Sequence, residues 1–401
     1  MNTQDRKLVL FLIGLPAVIF AFFIGVYVGG GENPRNTSVV DTSAVSDEQF
    51  EPFWKAWHAL DEKYVAAAST SAQQRVWGSI QGLASSYGDP YTVFFPPVEA
   101  KMFQEDISGN FEGVGMEIGI KDKQLQVVAP IKNSPAERAG VKTGDFILKI
   151  EEQSTVDMPV DAAVKLIRGA KGTPVKITFL PQGATKPVVR TLVRDIIDIP
   201  TLETSTKESG IFVIRLYSFT AHSADLFRGA LREFILSGND KLILDLRGNP
   251  GGYLDAAWDM ASWFLAPGKT VVTEDFGNNN EPKVYRSKGY DIFNDNLHMI
   301  ILTDAGSASA SEILAGALQE NGVAKIVGMK TFGKGSVQQL VSITPDTSLK
   351  ITIARWLTPK GHNLSHDGLE PDYKVEVTEK DVAAKYDPQM AKAVEILNAT
   401  Q

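Results

Sequence analysis

The sequence GSASASE at residues 306–312 follows the apolar run MIILT at 299–303 and precedes another apolar segment. A second turn, GKGSVQ at residues 333–338, follows the apolar run IVGM at 326–329. Short runs that are apolar at every position are typical of strands buried on both faces of a sheet. In open α/β sheets, ligands and chemistry collect beyond the carboxyl ends of the strands. We therefore predict that the two turns meet at one edge of such a sheet.

Strand-like and helix-like segments alternate around these turns, from residue 211 to residue 357. This alternation, with strands that are apolar along their whole length, is typical of an α/β domain. We predict an α/β domain over residues 197–377 and a charged C-terminal helical tail over residues 378–401.

The composition excludes several kinds of chemistry. The 401 residues include no cysteine and five histidines, and no histidine pair has the HExxH form. We therefore expect no disulfide, no cysteine nucleophile, no metal and no other cofactor. The 40 Lys and Arg against 48 Asp and Glu give a net charge of −8, so no nucleic-acid partner is expected.

The N-terminus carries an uncharged apolar segment, residues 8–28, directly after Arg6 and Lys7. A helix needs about 20 apolar residues to cross a bilayer, and the positive-inside rule leaves Arg6 and Lys7 in the cytoplasm. We predict a membrane anchor within residues 1–30, a linker over residues 31–46, and a periplasmic or cell-surface location for the rest. A cleaved signal peptide is the alternative, although its apolar core is shorter, roughly 7–15 residues.

Residues 47–107 are predicted to form a helical region. Its first helix is indicated by apolar side chains at three- and four-residue spacing: Phe50, Phe53, Trp54, Trp57 and Leu60. A second helix is expected at about residues 71–85. Two such helices are too small to form a domain alone, so we expect them to pack on a neighbouring part of the chain. Formation of a homodimer is the alternative.

Residues 108–196 are predicted to form a compact β-rich module with short helices. The module contains SPAERAGVKTGDFILKI and then VKLIRGAKGTPVKITF, and this order of elements resembles a PDZ domain. The resemblance implies that the module binds a peptide C-terminus as an added strand. It also implies that a loop supplies backbone N–H groups to the terminal carboxylate, with these peptide-binding residues: Phe111, Gly113, Val114 and Gly115.

Ser309 has two interpretations. With Glu312 it forms the S-x-x-E pattern of a capping box, and most such serines only cap a helix. A serine at a helix N-terminus also lies at the positive end of the helix dipole, beside free N–H groups. That environment suits a nucleophile and an oxyanion. Ser309 is therefore a candidate nucleophile, whereas Ser307 and Ser311 are expected to be structural.

Lys334 is flanked by glycines, as many solvated turn lysines are. An ordinary lysine, with a pKa of about 10.4, is protonated at neutral pH and is no base. Burial lowers that pKa, because the charged form loses its hydration. In a strand, Lys334, Ser336 and Gln338 would share one face, so we expect Gln338 to orient the amine. This supplies a nucleophile, a base and an orienting group without histidine.

The sequence LDLRGNPGG at residues 244–252 is a rigid turn after another apolar strand. Its simplest interpretation is a plain strand–helix turn, and its glycine spacing is not that of a phosphate loop. Its exposed backbone supplies a further candidate feature. We predict that the N–H groups of Gly251 and Gly252, with that of Ala310, form an oxyanion hole.

Three sequences in this order, LDLRGNPGGYL, GSASASEILAGALQENG and TFGKGSVQ, resemble the carboxyl-terminal processing proteases, a family of serine–lysine endopeptidases. The resemblance runs from about residue 50 to residue 377. It implies an α/β catalytic core with a crotonase-like or ClpP-like layering of sheet and helices, into which the PDZ domain is inserted. One departure, HNLSHDGLEPD, has fewer glycines than the family's closing sequence and is expected to alter only a loop.

The resemblance also assigns roles to individual residues. It implies that Ser309 is the nucleophile, Lys334 the general base and Gln338 the third member of the catalytic group. It further implies that the PDZ domain captures the C-terminal tail of a protein substrate and gates the active site. Arg168, at the end of the PDZ helix, would link the bound peptide to the catalytic domain. An exposed helix-end arginine is the alternative for Arg168.

We therefore expect a membrane-anchored serine endopeptidase that cleaves exported proteins near their C-termini through an acyl-enzyme. One alternative is a non-catalytic PDZ adaptor, but Ser309, Lys334 and Gln338 are all present. A second alternative is a crotonase-like acyl-transfer enzyme. The predicted anchor, the PDZ module and the lysine argue against it.

Overall fold

The computed structural model describes residues 46–121, 123–131, 133–198, 201–207, 210–277, 280–293, 296–365 and 367–399. The predicted anchor at residues 8–28 lies outside these ranges, as does nearly all of the predicted linker. Within the described ranges, no helix combines the length and the apolar character that crossing a membrane requires. The chain divides into two compact units, the first ending at Arg75 and the second starting at Val76.

The first unit contains a long amphipathic helix. This helix is α1 (Asp47–Lys63), and a short 3-10 turn (Ala67–Ser69) follows it. The next helix, α2 (Ala72–Ser85), begins in the first unit and continues into the second. Aromatic rings cluster along α1, where Phe53 meets Trp54 edge-on with ring centroids 5.0 Å apart. The guanidinium of Arg75 lies 4.4 Å from the centroid of Trp57. None of the residues of α1 is buried.

Between α2 and the PDZ-like module lie β1 (Val93–Phe95) and α3 (Pro97–Ser108). The module itself is mainly antiparallel sheet. Its elements are β2 (Asn110–Gly113), β3 (Met116–Lys121), β4 (Gln124–Pro130), α4 (Pro135–Arg138), β5 (Phe146–Ile150), β6 (Gln153–Ser154), α5 (Val160–Ile167), β7 (Pro174–Leu180), β8 (Val188–Val193) and β9 (Asp195–Asp198). Ile147, Ile177 and Phe179 are fully buried in its core. Strand β2 pairs with β9, so the two ends of the module lie side by side.

The rest of the chain forms the larger part of the second unit. Its elements are β10 (Leu202–Thr206), β11 (Phe212–Leu216), α6 (Ser223–Leu236), β12 (Lys241–Asp245), α7 (Leu254–Ser262), β13 (Thr270–Asp275), β14 (Lys283–Arg286), β15 (His298–Thr303), α8 (Ala310–Glu320), β16 (Ala324–Gly328), β17 (Ser336–Thr344), β18 (Thr347–Leu357), β19 (Tyr373–Lys374), α9 (Glu379–Ala383) and α10 (Pro388–Ala399).

A six-stranded sheet organises this part, in the order β10-β11-β12-β15-β16-β19. From β11 to β19 the strands are parallel, and β10 is antiparallel to β11. Neighbouring residues of one strand enter different cores, as Ile300 and Ile301 of β15 do. Burial on both faces explains the runs that are apolar at every position. The predicted α/β class is confirmed.

A second, five-stranded sheet joins β1, β18, β13 and β14 in this order, with β17 on β18. It packs with α6, α7 and α8 in the larger core, to which it contributes Val272, Val337 and Trp356. Strand β1 lies within residues 47–107, for which only helices and a break are predicted, and it pairs with β18 at Val93 and Lys350. A three-residue strand has no periodicity of its own to reveal it.

The predicted C-terminal tail is part of the folded core. Helix α10 buries Ala393 and Leu397 against the face of the six-stranded sheet that carries Ile300. Arg247 fastens this helix to the strand-end turn, because its guanidinium donates to both carboxylate oxygens of Asp387, at 2.8 and 2.9 Å. Burial alone would lower the pKa of this guanidinium, but the carboxylates of Asp245 and Asp387 outweigh burial and raise it.

Candidate active site

Three turns meet at the carboxyl ends of the parallel strands β12, β15 and β16. Hydrogen bonds join them: Gly248 N–H donates to Asp304 Oδ1 at 2.8 Å, and Ser307 Oγ donates to the Leu246 carbonyl at 2.8 Å. Phe332 N–H donates to the carbonyl of Ser307 at 3.0 Å, which connects the third turn. The two glycine-rich turns and the LDLRGNPGG turn therefore form one rigid framework at this edge of the sheet.

Ser309 lies at the N-terminus of α8 with an unusual backbone. Its φ of 55° and ψ of −114° are unfavourable for a residue with a Cβ. Strained turns of this kind, from a strand into a helix, expose a nucleophilic serine in other enzymes. The Ser309 carbonyl still accepts the N–H of Ile313 at 2.9 Å, so the helix begins directly after the strained residue.

Glu312 holds this strained turn and the lysine turn together. Its side chain is fully buried. The carboxylate accepts the N–H of Ser309 at 2.8 Å, the N–H of Gly333 at 2.8 Å and the N–H of Lys334 at 3.0 Å. It also accepts the hydroxyl of Thr331 at 2.6 Å. From the sequence, Glu312 is predictable only as half of a capping box, because its hydrogen bonds to the second turn join residues about twenty positions apart.

Replacing Glu312 with glutamine is expected to lower kcat/KM by about tenfold to a hundredfold, because an amide NH2 would face backbone donors. Glu312 also raises the pKa of the Lys334 amine, against the larger lowering by burial. The acid limb of the pH–rate profile should therefore move to lower pH. Glu320→Gln is the matched control, since Glu320 accepts from Thr358 and Lys360 at the other end of α8. An unshifted acid limb in Glu312→Gln would contradict this role.

Lys334 lies in the turn that precedes β17 and is half-buried. Burial lowers the pKa of its amine below the usual 10.5, although the carboxylate of Glu312 opposes this shift. Its Nζ lies 5.6 Å from the ring centroid of Tyr91. Lys334, Ser309 and Gln338 line one cavity of about 310 Å³. Among the described residues, no hydrogen bond joins the Ser309 hydroxyl to the Lys334 amine.

The predicted strand face shared by Lys334 and Gln338 is wrong. Strand β17 begins at Ser336, after Lys334, and its ladder with β18 is irregular between Val337 and Gln338. The Gln338 amide instead donates to Ser336 Oγ at 2.6 Å. Gln338 nevertheless lines the same cavity as the amine, so the fold brings the two together without a common strand.

The glycine turn approaches Ser309 closely, but only part of it can bind an oxyanion. The N–H of Gly251 already donates to Asn249 Oδ1 at 2.9 Å, so the predicted role of Gly251 as an oxyanion donor is wrong for this arrangement. Within the described part of the chain, the N–H groups of Gly252 and Ala310 have no acceptor. These two groups are the donors available for an oxyanion.

Gly251 is needed for its missing side chain. A Cβ there would lie 2.8 Å from Ser309 Cβ and 2.9 Å from Ala310 N. We expect Gly251→Ala to lower kcat/KM by at least about a hundredfold, as displaced oxyanion donors do. Gly248→Ala is the control, because Gly248 also has a positive φ, but a Cβ there would lie within 4 Å of no atom of the described residues. Equal losses of activity in the two variants would show that strain, and not contact with Ser309, is responsible.

The predicted peptide-binding residues lie together in the PDZ-like module. Four of the five line a narrow cavity of about 70 Å³ between β3 and α5: Phe111, Val114, Gly115 and Arg168. Gly113 is buried beside it, where a Cβ would lie 2.9 Å from the ring of Phe111. The Arg168 guanidinium lies 4.4 Å from the centroid of Phe111. Arg168 therefore packs on the loop that is predicted to receive the carboxylate.

Sequence comparisons agree with this architecture. Residues 210–375 match the model of peptidase family S41, and residues 126–181 match the PDZ domain model. The carboxy-terminal processing protease CtpA of Bacillus subtilis is 33% identical over 376 residues, which cover 93% of this chain and 78% of that protein. CtpB of the same organism is 33% identical over 361 residues, covering 86% of this chain and 73% of that protein.

Among solved structures, the photosystem II D1 C-terminal processing protease matches with a TM-score of 0.54 and 25% identity, over 81% of this chain and 92% of that chain. Fold and sequence together define a serine-type peptidase that carries a PDZ domain. The chain belongs to the carboxy-terminal processing proteases of peptidase family S41. The protease prediction is thus supported over the non-catalytic adaptor.

Proposed function

We propose that Ser309 is the nucleophile of this peptidase and Lys334 its general base. One observation carries the proposal: a single cavity is lined by the strained Ser309 and by an amine whose pKa is lowered by burial. The neutral amine takes the hydroxyl proton as Ser309 Oγ attacks the peptide carbonyl carbon. The hydrogen bond between the two groups forms when substrate binds, since catalytic hydrogen bonds often tighten only in the complex.

The remaining steps use the free donors of the two turns. The tetrahedral oxyanion accepts the N–H groups of Gly252 and Ala310, which are held in place before the reaction begins. The Lys334 ammonium then gives its proton to the leaving amine, and the acyl-enzyme forms on Ser309. Neutral Lys334 next activates a water molecule that releases the acyl group.

Gln338 acts as the third member by holding the amine in the cavity. Its side chain lines the cavity beside Lys334, and its amide nitrogen is anchored on Ser336 Oγ at 2.6 Å. The amide oxygen remains as an acceptor for an ammonium hydrogen. No metal or other cofactor takes part in these steps.

The PDZ domain selects the substrate by its C-terminal tail. An extended tail adds beside β3 and α5, and the loop with Phe111, Val114 and Gly115 receives its carboxylate. Arg168 packs on that loop from the end of α5. It couples binding of the tail to the catalytic domain, so that cleavage depends on a bound tail.

A tail-dependent assay tests this function. An unfolded protein with an apolar C-terminus is expected to be cut near that end, and amidation of the C-terminus should lower kcat/KM. Arg168→Ala should remove the difference between the free and amidated tails, whereas Arg138→Ala, at the exposed end of α4, should keep it. Fragments mapped by mass spectrometry provide the measurement. Tail-independent cleavage by the unaltered protein would contradict gating by the PDZ domain.

The apolar N-terminal segment supports a proposed location for the enzyme. Residues 8–28 anchor the chain in the cell membrane, and the peptidase faces the periplasm or the cell surface, where it processes exported proteins. Resistance of the full chain to carbonate extraction from membranes tests the anchor.

The exposed aromatic residues of α1 support a homodimer. Light scattering tests the dimer.

A further inference from the structure

A second lysine shares the cavity of Ser309 and Lys334. Lys350 of β18 lines it and is half-buried. Its Nζ lies 5.4 Å from the ring centroids of both Phe95 and Phe103, which stack 4.9 Å apart. Two aromatic rings beside an ammonium attract it but satisfy none of its N–H donors. The Lys350 amine therefore lies at the cavity wall with N–H groups that can donate to a ligand.

The Lys350 amine has no counter-ion among the residues that the structure describes. Within the described ranges, the Lys350 amine takes part in no ion pair and no hydrogen bond, whereas its backbone belongs to the strand ladders of β18. Asp89 attracts it only at a distance, because the Asp89 carboxylate is bound to the Tyr91 N–H at 3.0 Å and the Thr92 hydroxyl at 2.7 Å. Burial and the charge of Lys334 both lower the pKa of Lys350.

An unpaired ammonium away from water is costly, and an entering anion offsets that cost. Glu312 does not supply the anion, since four donors already occupy its carboxylate. Among the described residues, two lysines and no acidic residue line this cavity. At about 310 Å³ it is large enough to admit part of a peptide.

The position of Lys334 indicates which side of the scissile bond of the substrate binds in this cavity. Ser309 lines two cavities, of about 310 and 400 Å³, and Lys334 lines the smaller one. Because Lys334 must pass its proton to the leaving amine, the smaller cavity lies on the leaving-group side. The larger cavity instead carries Glu274, which is 6% exposed and accepts from the Tyr285 hydroxyl at 3.0 Å. A substrate carboxylate in the larger cavity would be repelled by the carboxylate of Glu274.

We propose that Lys350 forms a carboxylate-binding subsite on the leaving-group side of the scissile bond. The ligand is a substrate carboxylate, supplied either by an acidic side chain or by the free C-terminus of a short leaving fragment. The ammonium of Lys350 donates to it in a charge-assisted hydrogen bond. The proposal rests on the assignment of Ser309 and Lys334, and Lys350 acts on specificity and not on proton transfer.

The test uses the full chain and quenched peptides that share one sequence except for a leaving-side Glu, Gln or Lys. Unaltered protein is expected to cleave the Glu peptide about tenfold better, in kcat/KM, than the Gln peptide. Lys350→Met, which keeps the apolar stem, should erase that preference, so that the Glu and Gln peptides are cleaved with equal kcat/KM. Lys350→Glu should reverse it in favour of the Lys peptide. Lys360→Met removes an exposed lysine that does not line the cavity and should change nothing.

A second arm separates the two sources of the carboxylate. Peptides with a two-residue leaving fragment end in either a carboxylate or an amide, while a separate tail peptide occupies the PDZ groove. A preference that Lys350→Met removes only from the carboxylate-ended set assigns the subsite to the C-terminus. Equal loss on all peptides in Lys350→Met, or a Glu preference that survives it, overturns the proposal. Cleavage of the Gln peptide by unaltered protein, absent in Ser309→Ala, shows independently that the proposed mechanism holds.

Discussion

Replacing Ser309 with alanine is expected to abolish proteolysis, with a loss of about 10⁴-fold to 10⁶-fold in kcat. The change removes the attacking oxygen but none of the backbone hydrogen bonds that hold this turn. The backbone N–H of Ser309 still donates to Glu312, and its carbonyl still accepts from Ile313. Alanine at φ 55° carries the same strain as serine. Thermal unfolding of the variant should match that of the unaltered protein, and tail binding to the PDZ domain should persist.

The neighbouring serines are matched controls. Ser307 and Ser311 are fully buried, and their hydroxyls donate to the carbonyls of Leu246, at 2.8 Å, and Asn249, at 3.0 Å. Their replacement by alanine should cost about 1 kcal/mol of unfolding free energy each and preserve activity within about tenfold. Proteolysis that survives in Ser309→Ala and disappears in Ser307→Ala or Ser311→Ala would move the nucleophile to another serine.

Replacing Lys334 with methionine is expected to remove activity as completely as Ser309→Ala does, because groups that act as a unit are lost together. In the unaltered protein, kcat/KM should rise with pH as the amine loses its proton. This limb should lie at lower pH than an ordinary lysine would give, since burial lowers the Lys334 pKa from 10.5. Lys334→Arg should also be inactive, because a guanidinium stays protonated. Activity near the unaltered rate in either variant would remove Lys334 as the base.

Replacing Lys334 with methionine is also expected to stabilise the folded state at neutral pH. A lysine whose pKa is lower in the folded state costs stability while it is protonated. That cost is full below the folded pKa and disappears as the pH rises from there to about 10.5, the unfolded value. Lys334→Met should therefore unfold at a higher temperature than the unaltered protein at neutral pH, and the difference should vanish above pH 10.5.

Lys330→Met is the control for this stability effect. Lys330 lies on the same turn, but it is exposed and paired with Glu370 at 2.8 Å, and this carboxylate raises its pKa. Its loss should leave activity unchanged and should not stabilise the protein. A Lys334→Met variant that is less stable at neutral pH would show that the buried amine makes contacts that outweigh its desolvation.

Features carried by short, continuous patterns were predictable from the sequence. Apolar runs such as residues 299–303 indicated strands buried on two faces, and the sheet has both faces covered. The S-x-x-E pattern correctly placed Ser309 at the start of α8. These predictions succeed because periodicity and capping depend on residues within one turn or one strand.

Features that depend on contacts between distant residues were not predictable. The pairing of β1 with β18 joins Val93 to Lys350, and Arg247 binds Asp387 across 140 positions. The N–H of Gly251 is occupied by Asn249, which a glycine-rich pattern does not reveal. Nothing near Lys350 in the sequence indicates an active-site residue, since its neighbours alternate as an ordinary strand does.

The sequence by itself determined the class of the domain, the PDZ module and the three turns that hold Ser309, Lys334 and the glycines. Only the tertiary structure decided which groups those turns leave free to react. Glu312 occupies the N–H groups of Ser309 and Lys334, whereas those of Gly252 and Ala310 remain open among the described residues. The physical reason is that hydrogen-bond occupancy and desolvation depend on every atom around a group, and those atoms come from segments far apart in the chain.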